Sequence, residues 1–103
     1  MNYILEGKIA VPCDDLMKWA RWFEDIKRRR VAHDRVKHVT ISTVFLGIDH
    51  SFGGKRPLLF ETMIFGGKHD EYQDRCETWK QAEKMHAKAL ALVKKRMRHE
   101  RNL

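Results

Sequence analysis

The stretch that decides the fold runs from residue 37 to residue 77 and reads KHVTISTVFLGIDHSFGGKRPLLFETMIFGGKHDEYQDRCE. Residues 37–50 are rich in β-branched side chains and alternate in polarity over their first half, which predicts a long strand. A second strand is predicted at 58–65 and a short polar edge strand at 71–77. The glycine-containing segments between them supply turn residues, so this stretch predicts a three-stranded antiparallel meander.

A helix and a strand precede this meander, and a second helix follows it. Residues 15–30 place apolar side chains at helical spacing behind an aspartate N-cap. Residues 3–11 read as a first strand that Gly7 weakens. The last helix begins after Thr78, whose spacing to Gln81 is that of a capping box, and it extends to about residue 98.

The order β-α-β-β-β-α predicts an α+β fold, in which the meander and the N-terminal strand form an antiparallel sheet with two helices packed on one face. A length of 103 residues suits one domain. We expect that domain at residues 1–98 and a frayed basic tail at 99–103. No apolar run approaches the roughly 18 residues of a membrane span, and we expect a cytosolic protein with reduced cysteines.

The net charge of +7 is concentrated in two segments. Residues 27–38 carry six basic side chains against one acid, and residues 84–103 carry seven against one. The remainder of the chain is therefore mildly acidic. Such clusters suit a phosphate backbone or the steering of an anionic partner. The alternative is that these cations solvate helix ends, where the helix dipole favours them.

Two further features suit an anionic partner. Trp22 lies among arginines on the first helix, an arrangement in which a ring stacks on a base while arginines contact phosphates. The loop SFGGKR combines glycine amides with two cations, as anion-binding loops do, and ordinary hairpin turns are its alternative explanation. The candidate binding residues are Trp22, Arg28, Arg29, Arg30, Lys55, Arg56, Lys94, Lys95 and Arg96.

A rival hypothesis places acid–base or metal chemistry near the first hairpin. Asp49 and His50 end the long strand, Glu61 interrupts an apolar strand, and His86 lies on the apolar face of the last helix. The catalytic candidates of this rival are His50, Glu61 and His86, and its metal ligands add Asp49. A solvent-facing Glu61 and a core His86 are the alternatives, and the short spacings of zinc motifs do not occur. The leading prediction has no catalytic residue, metal or cofactor.

Three stretches resemble a known family: STVFLGIDHSFGG (42–54), PLLFETMIFGG (57–67) and DEYQDRCETWKQAEKMH (70–86). They look like the shared pattern of small, mostly uncharacterised proteins encoded by bacteriophages and prophages. The chain departs from that pattern at Cys76 and in its basic C-terminal extension. The pattern falls on Asp49, His50, Gly53, Glu61, Gly66, Gly67, Tyr72, Arg75, Trp79 and His86.

The resemblance implies a biological setting and no reaction. It implies a phage accessory protein of the host cytoplasm, of the class that includes inhibitors of host defence such as anti-CRISPR proteins. We therefore predict a non-enzymatic protein that binds nucleic acid, a nucleotide, or the nucleic-acid-binding face of a host defence protein. The alternatives are a metal-dependent hydrolase or nuclease, and a structural homo-oligomer that joins through the VFLGI strand or the first helix.

Overall fold

The computed structural model describes residues 1–101, which form two antiparallel sheets and a long C-terminal helix. A two-stranded hairpin precedes a four-stranded meander. The predicted α+β class and antiparallel meander are confirmed, while the layout of strands and helices differs in detail. The elements are β1 (Tyr3–Glu6), β2 (Ile9–Pro12), α1 (Leu16–Glu24), α2 (Ile26–Arg29), β3 (Arg30–Val36), β4 (Val39–Phe45), β5 (Phe60–Phe65), β6 (Gln73–Cys76) and α3 (Trp79–Arg101).

The single N-terminal strand predicted at residues 3–11 is instead the hairpin β1–β2. Gly7 has a φ of 62°, a conformation that glycine adopts at little cost, and the chain reverses there and at Lys8. This glycine is therefore a turn residue rather than a weak point in a strand. The hairpin forms its own sheet and does not extend the meander.

The helix predicted at residues 15–30 is shorter than expected, because Asp25 ends α1 and begins α2. The backbone amide of Asp25 donates to Trp22 O at 3.4 Å, and its carboxylate accepts from the Lys27 amide at 3.0 Å. The chain then enters β3, which pairs antiparallel with β4, with a β-bulge between Arg30 and Ala32. The meander consequently has four strands, in the order β3-β4-β5-β6.

The strand predicted at residues 37–50 ends at Phe45, because Gly47 turns the chain with a φ of 75°. The carbonyl oxygen of Gly47 accepts from the Tyr3 amide at 2.8 Å and from Trp19 Nε1 at 3.0 Å. These hydrogen bonds connect the segment that follows β4 to the hairpin and to α1. The predicted edge strand is confirmed as β6, which pairs only with β5.

Helix α3 lies across all four strands of the meander. Its predicted capping box is present: Gln81 N donates to Thr78 Oγ1 at 3.2 Å, and the Thr78 amide donates to Gln81 Oε1 at 3.1 Å. The helix continues to Arg101, past the predicted end at residue 98, and the last two residues of the predicted tail, 102 and 103, lie outside the described residues. No helix within residues 1–101 is long and apolar enough to cross a membrane.

Two apolar clusters fill the space between α3 and the sheet. One lies near the start of α3, where Phe45 and Phe60 pack with Leu5 of the hairpin and with the edge of the Trp22 ring. The other lies near the end of α3 and contains Ile41, Ile64, Ala89 and Val93. Alternate residues of the same strands form the opposite side of the sheet, which we call the open face and which is only partly buried.

Candidate anion-binding surface

The structure does not bring the rival hypothesis's four residues into one site, because the sheet separates two of them. Glu61 lies on the open face, where its Oε2 accepts from Arg75 Nε at 2.9 Å and from Gln73 Nε2 at 2.7 Å. His86 lies beneath α3 on the other face and is 5% exposed. Asp49 and His50 belong to the loop between β4 and β5. The four side chains that the rival hypothesis needs in one site therefore lie in separate places.

His86 is instead part of a buried polar chain that links α3 to three strands. Its Nδ1 lies 2.7 Å from Thr43 Oγ1, and its Nε2 lies 2.7 Å from Asp34 Oδ2. Thr43 in turn hydrogen-bonds the hydroxyl of Thr62. Both threonines are fully buried. Because both ring nitrogens of His86 have hydrogen-bond partners, this histidine is a satisfied core residue. Among residues 1–101, no three His, Cys, Asp and Glu side chains are grouped to hold a metal ion.

The loop at residues 51–57 is closed around the carboxylate of Asp49. Oδ1 accepts from the amides of Ser51 at 2.8 Å and Leu58 at 3.0 Å, and Oδ2 accepts from the Ser51 hydroxyl at 2.9 Å. The Ser51 amide, followed by the Leu58 amide and the Ser51 hydroxyl, lowers the pKa of Asp49 against the opposing effect of desolvation. A negative charge therefore occupies the centre that an anion-binding loop would offer to its ligand.

The cations of this loop are exposed and dispersed. Lys55 is exposed, and Arg56 lies 3.8 Å from Glu77 with most of its side chain in solvent. Phe52, at a φ of 53°, is 90% exposed. These two cations do not meet the other predicted binding residues in any cavity within the described part of the chain.

Arg28, Arg29 and Arg30 have three different environments although they are adjacent in sequence. Arg28 lies 3.4 Å from Asp25, in a shallow groove that Trp22 also lines. The guanidinium of Arg29 stacks 3.9 Å from the Phe23 ring, and burial lowers its pKa. Arg30 begins β3 and is exposed. The three arginines thus do not form one continuous patch.

A dense group of cations lies at the other end of the molecule, where the last turns of α3 meet two strand connections. The β3–β4 turn brings Lys37 and His38 there, and the β5–β6 turn brings Lys68 and His69. The two turns and the last turns of α3 contain six lysines and arginines and three acids, Asp70, Glu71 and Glu100. We call this surface the basic pole, and it consists of Lys37, His38, Lys68, His69, Lys94, Lys95, Arg96, Arg98 and His99.

Three adjacent cavities connect the members of the basic pole. Lys37 shares one with Lys94 and Arg98, so the two basic segments of the sequence meet there. Lys68 shares a second, of about 210 Å³, with Arg96. A third lies beside Lys95, Arg96 and His99. Basic side chains therefore surround the end of the helix on more than one side, and Glu100 lines the same cavity as Lys68 and Arg96.

Sequence reasoning placed Lys94, Lys95 and Arg96 correctly on a helix end but missed their partners in the turns. Lys37 and His38 lie within the basic segment 27–38, but the sequence does not place them with the cations of α3. Because β3 is a strand of seven residues, it carries Lys37 roughly 20 Å from Arg30. The sequence GGKHD predicts a turn that contains Lys68 and His69, but it does not indicate which residues lie beside that turn in the fold.

No protein-family model matches the chain, and neither a curated protein nor a solved structure is significantly similar to it.

Proposed function

We propose that this protein is a non-enzymatic accessory protein that binds nucleic acid through the phosphate backbone at the basic pole. One observation carries the proposal: two turns and a helix end, which are distant in sequence, place basic side chains around adjacent cavities. Phosphate contacts by lysine and arginine supply most of the affinity of sequence-independent nucleic-acid binding. The phage origin and the host cytoplasm implied by the resemblance belong to the same proposal.

The helix dipole accounts for only part of this charge. The negative end of the dipole stabilises a cation in the last turn of α3, such as Arg98, by about 0.3–1 kcal/mol, and it has little effect on Lys94 and Lys95, which lie more than one turn before Arg101. Lys37 and Lys68 lie in turns and not in a helix, so the helix dipole does not explain their presence here. Bringing them to a surface that is already positive costs repulsion, which an anionic partner relieves.

An extended polyanion fits this surface better than a single small anion does. The cations line three separate cavities, so no single phosphate contacts all of them. A chain of phosphates spaced along a strand can contact several at once. We therefore infer that the partner is a nucleic acid rather than an isolated phosphate group.

The test is oligonucleotide affinity as a function of salt, with two variants of equal charge. Lys94→Glu/Lys95→Glu changes the basic pole, and Lys84→Glu/Lys88→Glu changes exposed lysines nearer the start of the same helix. In the pole variant we expect at least a tenfold loss of affinity and a slope of log K against log salt reduced by about 1.5–2. The control variant keeps most of its affinity and slope.

Equal losses in both variants would assign binding to overall charge and overturn the basic pole as the site. Absence of salt-dependent binding by the wild-type protein would overturn the proposed function itself. Glutamate at the helix end also opposes the dipole, so Lys94→Gln/Lys95→Gln, checked for its helix content by circular dichroism, repeats the test without that effect.

A further inference from the structure

The second cavity of the basic pole is lined by apolar side chains, which we call its floor, and by basic side chains, which we call its rim. Its volume is about 210 Å³, and it lies between the β5–β6 turn and the end of α3. Val39, Val93 and Met97 supply the apolar side chains. His38 and Arg96 lie at the rim, and Arg96 Nε donates to Glu100 Oε1 at 3.1 Å. What sets this cavity apart from its two neighbours is that Gly66 and Gly67 also line it.

One wall of this cavity is bare backbone, because Gly66 and Gly67 form it. The two glycines have φ values of 92° and 71°. A Cβ atom on Gly66 would lie 2.9 Å from His38 O, and one on Gly67 would lie 2.8 Å from Val39 Cγ2. The turn thus lies against the β3–β4 turn at a separation that leaves no room for side chains, and the wall offers a peptide surface.

A ligand that contacts both the floor and the rim must have a flat apolar group and an anionic group close to it. A phosphate alone would leave the floor formed by Val93 and Met97 unused. A purely apolar ligand would make no use of Lys68, which also lines the cavity. The volume corresponds to about seven water molecules, which is room for one ring system. A nucleobase attached to a phosphate backbone meets these requirements.

We propose that this cavity receives one unstacked nucleobase, so that the partner of the basic pole is single-stranded nucleic acid. This inference rests on the proposed function and adds the class of its ligand. In a duplex the bases are paired and stacked, and extruding one costs several kcal/mol. A single strand also continues past the cavity, where its next phosphates meet Lys94 and Lys95 in the adjacent cavities.

The experiment compares a fluorescent 12-nucleotide oligothymidylate with an abasic strand of the same length and charge. A base that leaves water for the apolar lining of the cavity gains about 25 cal/mol per Å² of apolar surface buried, so we expect the intact strand to bind several-fold more tightly. The slopes of log K against log salt stay equal, because both strands present the same phosphates. A duplex of the same length binds more weakly than the intact single strand at equal salt.

A pair of variants separates base insertion from charge. Met97→Lys adds a cation at the cavity floor, and Met17→Lys adds the same cation to an exposed position of α1. We expect Met97→Lys to reduce the preference for the intact over the abasic strand by at least about threefold, although it raises the net charge. Met17→Lys leaves that preference unchanged.

The outcomes distinguish this inference from the function on which it rests. Equal binding of intact and abasic strands with a retained salt slope overturns the nucleobase cavity and leaves backbone binding standing. Duplex binding as tight as single-strand binding also overturns it. So does displacement of the oligonucleotide by thymidine monophosphate at a concentration equal to that of the oligonucleotide. Binding of neither strand overturns the proposed function. If Met97→Lys does not fold, the wild-type comparison of the two strands still decides.

Discussion

The imidazole of His86 lies between Asp34 and Thr43, with its Nε2 2.7 Å from Asp34 Oδ2 and its Nδ1 2.7 Å from Thr43 Oγ1. Because Thr43 also hydrogen-bonds Thr62, the chain joins α3 to three strands of the meander. Asp34 reaches the surface with about half of its side chain exposed, so its charge remains solvated. The core of this small protein therefore contains a fully partnered polar layer between its two apolar clusters.

Replacing His86 by leucine is expected to destabilise the protein by about 1–3 kcal/mol, because it removes one of the two partners of the buried Thr43 hydroxyl and the imidazole partner of Asp34. The measurement is urea denaturation followed by circular dichroism. His99→Leu, an exposed histidine on the same helix, is the control and should change stability by less than about 0.5 kcal/mol. Stability equal to wild type in His86→Leu would contradict a structural role for the chain.

The triple variant Thr43→Val/Thr62→Val/His86→Leu is expected to be more stable than His86→Leu alone. Removing both partners of a buried hydrogen bond costs less than removing one, because no polar group is left unsatisfied. If the triple variant instead loses the sum of the single effects, packing rather than hydrogen bonding dominates at these positions. The same denaturation experiment measures both variants.

Gly47→Ala is expected to cost at least about 1 kcal/mol more than Gly7→Ala. Both glycines have positive φ, at 75° and 62°, so each alanine pays a similar backbone cost of about 1–2 kcal/mol. A Cβ on Gly47 would also lie 3.0 Å from Phe23, whereas nothing lies within 4 Å of one on Gly7. The Phe23 ring cannot easily move, since Trp19 and Arg29 pack against it. Equal losses of stability in thermal denaturation would contradict this steric argument.

The parts of the fold that the sequence predicted are those with local signals. The capping box of Thr78 and Gln81 involves residues three positions apart, and β4 alternates buried and partly exposed residues from Val39 to Phe45. Both patterns are complete within one element. The predicted aspartate N-cap of α1 is likewise local: of the two candidates, Asp14 and Asp15, it is Asp15 whose carboxylate accepts from the Lys18 amide, at 3.1 Å.

Strand β3 was missed because its signal is not local. Its sequence RVAHDRV carries charges that suit a helix end, and Ile26 extends the apolar spacing of the first helix beyond Asp25. The strand exists because it pairs with β4, with Asp34 opposite Ile41. The basic pole was missed for the same reason, since only the meander brings Lys37 and Lys68 to the end of α3.

Asp49→Asn is expected to loosen the loop at residues 51–57. Hydrogen bonds from Ser51 and Leu58 lower the pKa of Asp49, so the carboxylate is favoured in the folded protein. The folded state then binds fewer protons than the unfolded state, and this stabilisation is present above the ordinary aspartate pKa of about 4. It is lost as the pH falls through the lower pKa of the folded protein.

The stability difference between wild type and Asp49→Asn should therefore be constant near neutral pH and should shrink below about pH 4. Amide exchange at Ser51 and Leu58 measures the loop directly and should be faster in the variant at pH 6. Asp14→Asn, which replaces an exposed aspartate, is the control. A stability difference that grows on acidification would contradict the assigned direction of the pKa shift.

Arg75→Met is expected to destabilise the protein more than Glu61→Gln does. The Glu61 side chain is only 12% exposed, so removing Arg75 leaves a largely covered carboxylate with Gln73 as its remaining partner. An uncompensated group of this kind costs about 1–3 kcal/mol. Glutamine at position 61 is neutral and still accepts hydrogen bonds, so its cost is smaller. Urea denaturation of both single variants and the double variant measures the order and the coupling of the pair.

The same two variants separate the open face from the basic pole. Glu61 and Arg75 lie on the open face, and neither lines a cavity of the pole. We therefore expect Glu61→Gln, at a temperature where it is folded, to bind the oligothymidylate within about twofold of wild type, as expected for a rim or distant charge. A tenfold gain in affinity on removing this carboxylate would place the strand across the open face instead, because only a nearby negative charge repels phosphates that strongly in salt.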